Sequence, residues 1–479
     1  MDRMSPTSSW GSGSDLLLGE PPGTSRSPQA RKPLPVGSRP LRRGWGLLTG
    51  TLLVGYLLMS RSFAYLGIPP LRLFISEATL AAFLVLTPSV SIRRWANSLV
   101  NKTELNPISW AIYAALVYGL LQVVRGTFAG YSLIASLQIY AFNLYPFFLF
   151  LGIWVGENKP DLLRRALLTL VWANGIYGVL YVAYLGHVEI VLPGTAGLAD
   201  TFPVKMFGQP AGSAISILAL LCFDRRLQRY WVPLGLNTAV LLALAVRAEW
   251  VGLLLALLVW GVLQKQFKRV MIAVASVTLF LAIAYLANFS FPGPRGEISS
   301  QETVGRVLAP FDSDLASQYS ANASVYAGTT EWRTRWWARI WDNVHQDSLR
   351  ALLGNGYGFP LRSLVLDVSS EVRSPHNVFF YALGYGGWMG LALFLWLTLG
   401  IARLLWKSYR RNHQPFGILF FSMALVFASL SNFLETPFGA IPFYIVLGLS
   451  IGAARVFDPE DKTDRQRGRG RYFLVALNS

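Results

Sequence analysis

A chain of 479 residues with 53% hydrophobic and only 14% charged residues has too little polar surface to cover a soluble core of that size. With a mean hydropathy of +0.42, this excludes a soluble cytosolic enzyme and points to a polytopic membrane protein. The formal charge of +17 fits basic cytoplasmic loops rather than nucleic acid, for which no motif is present, and the single cysteine, Cys222, excludes an intrachain disulfide or a multi-cysteine metal site.

In chain order, residues 1–43 are rich in Ser, Pro, Gly and Arg and are expected to form a disordered basic cytoplasmic tail. So long a polar leader argues against a cleaved secretory signal. Apolar runs then predict twelve spans, at 44–60, 71–89, 107–124, 132–155, 163–186, 209–223, 231–246, 250–264, 269–289, 377–402, 415–431 and 437–454. The three from 209 to 264 are short for a bilayer, which suggests tilting, a break or re-entry. Residues 44–289 thus hold spans one to nine and 377–454 hold spans ten to twelve. A second polar tail follows from 455 to 479.

With both termini in the cytoplasm, the inner loops carry sixteen Lys and Arg, while the short outer loops carry only Arg61, Arg72, Arg125, Lys205 and Arg247. This asymmetry is what the positive-inside rule requires. Residues 290–376 form the one long loop, expected on the outer side. It contains a Ser/Thr/Asp-rich stretch followed by a Trp-rich helix from about 330 to 346. No internal repeat or long central inner loop suggests a two-half transporter.

Charges near membrane depth are costly, so each is a functional candidate. Arg247 and Glu249 lie between two apolar runs, either as a loop ion pair or with Arg247 binding an anion in an outer cavity. In the segment from Glu331 to Trp341, Arg333 and Trp337 are i,i+4 neighbours, and Arg335 shares another face with Arg339. This helix reads as an interfacial anchor or as a lid over a lipid-phosphate or glycan site. Gly354, Gly356 and Gly358 suggest a turn. His376-Asn377 opens span ten, either as a cap or as a proton acceptor with Asn377 orienting it or a substrate. Glu435, Asn432 and Lys205 belong to the same outer side. The histidines show no metal-ligand spacing. Nothing resembles an ATP-hydrolysing site, so an activated donor is required. A lipid-linked diphosphate sugar qualifies: cations neutralise its leaving group and a base takes the proton of the attacking hydroxyl.

Three stretches of the chain resemble the O-antigen ligase and O-antigen polymerase superfamily. They are His376-Asn377 with Gly387 and Gly390; Arg333 and Trp337 leading into Gly354, Gly356 and Gly358; and Lys205 to Pro210 followed by Arg247. Ser60 to Pro70 adds to the likeness. The resemblance implies an all-α, C-type glycosyltransferase-like membrane fold. It implies a metal-independent, cofactor-free transfer of glycan from an undecaprenyl-diphosphate carrier to a sugar hydroxyl at the periplasmic face of the bacterial inner membrane. The acceptor would be another glycan or lipid A-core. His376 would activate the hydroxyl. Arg247 and Arg333, or Arg335 in its place, would hold the diphosphate, with Lys205, Asn377 and Glu435 contributing to substrate binding. The chain departs from the pattern at Ala248-Glu249-Trp250, which puts an acid beside a presumed phosphate ligand. Rival readings are a flippase or transporter for lipid-linked oligosaccharide and a non-catalytic envelope-assembly protein.

Overall fold

The computed structural model describes residues 39–64, 66–68, 73–87, 92–187, 210–223, 230–287, 290–293, 296–309, 311–365 and 374–456. The chain before Arg39, residues 188–209 with Lys205, and the tail after Val456 lie outside the described residues. The fold is all-α apart from two short antiparallel pairs. Among the described residues, five apolar stretches are long enough to cross a membrane: Asn106–Phe128, Leu133–Asn158, Leu162–Ala183, Val378–Asn412 and Pro437–Val456. With the shorter apolar helices they make a multi-pass integral membrane protein.

The first half comprises α1 (Arg39–Met59), α2 (Arg61–Ala64), the β1 (Gly67–Ile68) and β2 (Leu73–Phe74) pair, α3 (Ile75–Leu86) and α4 (Ile92–Val100). Then come α5 (Asn106–Phe128), α6 (Leu133–Leu144), α7 (Phe147–Asn158), α8 (Leu162–Ala183), α9 (Pro210–Phe223), α10 (Trp231–Leu244), α11 (Arg247–Leu263) and α12 (Phe267–Leu286). The long loop holds β3 (Ser290–Gly293), β4 (Gly296–Ser299), α13 (Ser300–Leu308), α14 (Ser313–Ser317), α15 (Ala323–Val344) and α16 (Ser348–Leu353). The chain closes with α17 (Val378–Asn412), α18 (Phe416–Leu430) and α19 (Pro437–Val456).

Each expected apolar run overlaps a helix among the described residues, with four revisions, the first being that the run 71–89 holds strand β2 at Leu73–Phe74 and is helical only over Ile75–Leu86. Helix α1 begins at Arg39, so residues 39–43 continue it instead of belonging to the tail. The run 132–155 is broken into α6 and α7 at Tyr145-Pro146, because proline has no N–H to continue the ladder. The tenth run extends to Asn412 and is interrupted at Gly387, whose φ of 60° and ψ of −161° are not helical. The three short runs are separate helices, and α10 and α11 are joined through Ala245, in the left-handed conformation, and Val246.

The core centres on α7 and α19, which meet along a seam of glycines. A Cβ on Gly152 would stand 2.6 Å from the Ile445 carbonyl oxygen, and one on Gly156 2.7 Å from that of Leu449. Gly448 and Gly452 face Leu149 and Ile153 in the same way. Both helices therefore present small residues four apart, and their backbones touch, the geometry that lets helices associate without a hydrophobic driving force.

At one end of the bundle, Glu157 on α7 accepts from Arg94 at 2.9 Å and Arg455 at 3.2 Å, and Glu104 accepts from Arg411 at 2.6 Å. This clasp ties the ends of α4, α5, α7, α17 and α19, and Gly46 of α1 lies against Lys159 there. The opposite end carries the long loop. There Arg125, at the end of α5, donates to the carbonyls of Leu353 at 2.7 Å and Gly354 at 2.6 Å. Gln122 adds a bond to Leu353 at 2.9 Å, and Tyr118 donates to Gly386 at 2.6 Å. Arg125→Ala is expected to cost about 1.5–3 kcal/mol, since charged hydrogen bonds to buried carbonyls are lost. The loss should show as a lower thermal midpoint in detergent and faster proteolysis within 290–376.

Candidate functional site

Helix α15 is amphipathic, and its buried stripe runs through Trp336, Ile340 and Val344. Arg333 and Trp337 border that stripe. Arg335, two positions on from Arg333, points elsewhere, because residues two apart do not share a helix face. It pairs with Glu331 at 2.6 Å and is half exposed. Arg333 donates to the Leu430 carbonyl at the end of α18 at 3.0 Å, and its buried Nε–H has no partner among the described residues.

Trp337 explains the spacing of the Arg333–Trp337 pair. Its indole N–H donates to the Pro375 carbonyl at 2.8 Å, and its ring stacks on Phe380 with centroids 5.6 Å apart. One helical turn of α15 thus pins the 375–377 segment with Trp337 and places Arg333 beside it. His376 has a φ of 56°, a left-handed conformation costing a residue with a Cβ about 1–2 kcal/mol. Trp332 meets the His376 ring edge-on at 5.7 Å. Asn377 is the N-cap of α17, its side-chain oxygen accepting from the backbone N–H of Phe379 at 3.0 Å and Phe380 at 3.3 Å. Its carbonyl is therefore engaged in holding the helix start.

Arg247 is the first residue of α11. It does not close a loop pair with Glu249, the simpler reading of the sequence. Its guanidinium donates to the Arg306 and Tyr326 carbonyls, each at 3.2 Å, and to the Thr329 hydroxyl at 3.0 Å.

Four segments meet here: the start of α11, α15, residues 374–377 and the 431–436 turn. Arg333 lies in the field of Arg247, Glu249 and Glu435. Burial, helped by Arg247, lowers its pKa, and the two carboxyls oppose that shift. Burial and the neighbouring Arg333 charge lower the His376 pKa to about 4. Burial raises the Glu435 pKa to about 8, against the pull of Ser374, the backbone N–H groups of Asn377 and His376, and Arg333. Neither Glu435 oxygen completes a hydrogen bond of regular geometry. At pH 7 the imidazole and the Glu435 carboxyl are therefore both uncharged, leaving the two guanidinium groups with Glu249 as the other carboxyl in the field of Arg333. Such a cluster attracts an anion, and the unpartnered Nε–H of Arg333 is a donor for one.

The structure thus brings together Arg247, Arg333, His376, Asn377 and Glu435. It leaves Arg335 on the outer face of α15, and Lys205 is outside the described residues. Sequence reasoning missed Trp332 as the ring against His376, and Thr329 and Tyr326 as holders of Arg247. It treated Glu249 as a departure, although Glu249 is buried within the field of Arg333. The i,i+4 relation of Trp332 to Trp336 offered a signal for the first.

The Gly354–Gly358 turn holds this geometry from behind. Asn355 and Gly356 donate their backbone N–H groups to the Gly384 and Tyr385 carbonyls of α17, each at 3.1 Å. Gly354 at φ 69° faces Gly387 at φ 60°, backbone against backbone.

Residues 232–395 match the O-antigen ligase family, a stretch running from α10 through the long loop into α17. It includes Arg247, Arg333, Arg335, His376 and Asn377, and ends before Glu435. No curated protein matches the chain.

Proposed function

Because residues 232–395 match the O-antigen ligase family, we propose that this chain is a glycosyltransferase of that ligase and polymerase type and that it transfers a glycan from an undecaprenyl-diphosphate carrier to a sugar hydroxyl. The acceptor is a second glycan or lipid A-core. The observation that carries this reading is the buried, unpartnered Nε–H of Arg333, held in one cluster with Arg247 and an uncharged His376.

In the proposed step His376 takes the proton of the acceptor hydroxyl as its oxygen bonds to the anomeric carbon. The bond from that carbon to the diphosphate breaks, and its electron pair leaves with the carrier. Arg247 and Arg333 hold the growing charge on the leaving diphosphate, where fixed cations act most strongly because water is excluded. Arg333 is assigned this role over Arg335 on position alone. Glu435, uncharged at neutral pH, leaves the two cations free for the phosphates.

The site faces the periplasm of a bacterial inner membrane in this reading, and both termini are cytoplasmic. Supporting it, the start of α1 lies against Lys159, which follows α7, and α19 ends with Arg455, both at the clasped end opposite the site. The test is reconstitution in vesicles with a carrier-linked glycan and an acceptor. Glycan linkage with release of carrier diphosphate is expected. Movement of the intact donor across the bilayer without linkage would instead establish a flippase.

The pH dependence follows from two signs. Above about pH 8 Glu435 ionises, neutralises part of the Arg333 charge and repels the diphosphate. The KM for donor should therefore rise through that range, and Glu435→Gln should abolish the rise. Ionisation of His376 near pH 4 should set the acid limb of kcat/KM, which reports the free enzyme. A bound diphosphate favours the imidazolium, so the acid limb of kcat should lie at higher pH. Coincident limbs would argue against an anion beside His376.

A further inference from the structure

Arg247 is held by backbone carbonyls that belong to Arg306 and Tyr326. Carbonyls of a loop make a firm seat only if the loop is itself fixed, and one buried side chain does this. Glu302 on α13 accepts hydrogen bonds from the hydroxyls of Ser320 and Tyr326 and from the Asn322 amide at 3.3 Å. It also forms an ion pair with Arg306 one helical turn on, at 3.6 Å. The Arg306 guanidinium then lies 4.7 Å above the Tyr326 ring. Burial opposes ionisation of Glu302, but these donors and Arg306 prevail and keep its carboxyl below the ordinary pKa. Glu302 is 9% exposed, and its described partners are Ser320, Asn322, Tyr326 and Arg306, not His376, Arg333 or Glu435.

Resting on the reading of Arg247 as a diphosphate ligand, we propose that Glu302 is a positioning residue for the transfer reaction: by binding Tyr326 and Arg306 together it fixes the two carbonyls that aim the Arg247 guanidinium at the donor. The side chain does not touch substrate. Its effect passes through Arg247 alone, and that makes it separable from a merely structural role.

The experiment uses the full chain in lipid nanodiscs, titrated with undecaprenyl diphosphate and followed by intrinsic tryptophan fluorescence, with steady-state transfer measured in parallel. Arg247→Ala is expected to weaken binding by about 10–100-fold, the range for losing a charged ligand contact. Glu302→Gln is expected to weaken binding and raise the donor KM by about 5–10-fold, with kcat little changed, as when an outer partner of a ligand is removed. The double variant should bind no more weakly than Arg247→Ala alone, because residues acting through one contact are not additive. Tyr326→Phe, which keeps the ring and loses only the hydroxyl, should show a smaller shift in the same direction and covers the case in which Glu302→Gln fails to fold. If Arg247→Ala binds as the wild type does, both the diphosphate reading and this role fall. If Arg247→Ala is weakened while Glu302→Gln is unaffected, lowers kcat alone, or adds fully in the double variant, only the role of Glu302 falls.

Discussion

Replacing His376 by alanine is expected to lower glycan transfer by about 10²–10⁴-fold, the contribution of a positioned general base, while carrier-diphosphate binding stays essentially unchanged. The separation follows from the geometry. The proposed anion donors are Arg247 on α11 and Arg333 on α15, and neither depends on the imidazole for its hydrogen bonds. The imidazole is uncharged at neutral pH, so its removal takes no cation from the site. The backbone must still adopt its left-handed turn, so His376→Asn is the better control: asparagine tolerates that conformation and lacks a proton acceptor of comparable basicity. Both variants should be equally inactive in the reconstituted assay. Transfer at wild-type rate by either would remove His376 from the chemistry. Loss of binding in both would make it a ligand instead.

Gly387→Ala is expected to abolish activity by a different route, through loss of the folded loop. A φ of 60° with a ψ of −161° is a conformation open essentially to glycine alone, and a forced residue there costs about 1–3 kcal/mol. The space is closed as well. An added Cβ would stand 2.5 Å from the Gly354 nitrogen and the Leu352 carbonyl oxygen, and 2.6 Å from that of Ala351. These are backbone atoms of the last turn of α16 and of Gly354, where the glycine turn begins, so they cannot swing aside as a side chain would. The turn must lift off α17, and the bonds from Asn355 and Gly356 to Gly384 and Tyr385 go with it. A total above about 3 kcal/mol places the change among the severe ones. It should be read as a large fall in thermal midpoint and as protease cleavage between α15 and α17. A variant with an unshifted midpoint and normal transfer would show that the turn is not what secures the loop.

Much of this architecture was legible in the sequence because membrane helices announce themselves by composition. The apolar runs pointed to where helices lie, though not to every end, since α17 runs on to Asn412 and the run 132–155 divides at Tyr145-Pro146. The long loop was harder. Its Trp-rich helix showed its period, so Arg333 and Trp337 could be placed on one face, but the burial of Arg333 depends on α18, almost a hundred residues away. Spacing alone could not choose between Arg333 and Arg335. The support of Arg247 was illegible for a related reason: its holders are backbone carbonyls of Arg306 and Tyr326, and a carbonyl carries no sequence signature. Asn377 shows the opposite limit, since a His-Asn pair before a long apolar run fits a helix cap as well as a substrate contact, and the observed bonds to Phe379 and Phe380 are those of a cap. Glu249 looked like a fault beside a phosphate ligand until the fold placed it opposite a second cation.

The glycine seam between α7 and α19 has a mechanical consequence. Two helices whose main chains touch along four small residues can neither slide nor part without opening voids, and acid–base clusters bolt their far ends to three neighbours. Glu435, immediately ahead of α19, is therefore mounted on the stiff portion of the molecule. Arg247 is mounted differently, at the tip of α11, whose next neighbour α12 turns many of its apolar side chains outward to lipid. If the proposed carrier-linked glycan enters the site, the flank expected to yield is this second one, while the carboxyl stays still.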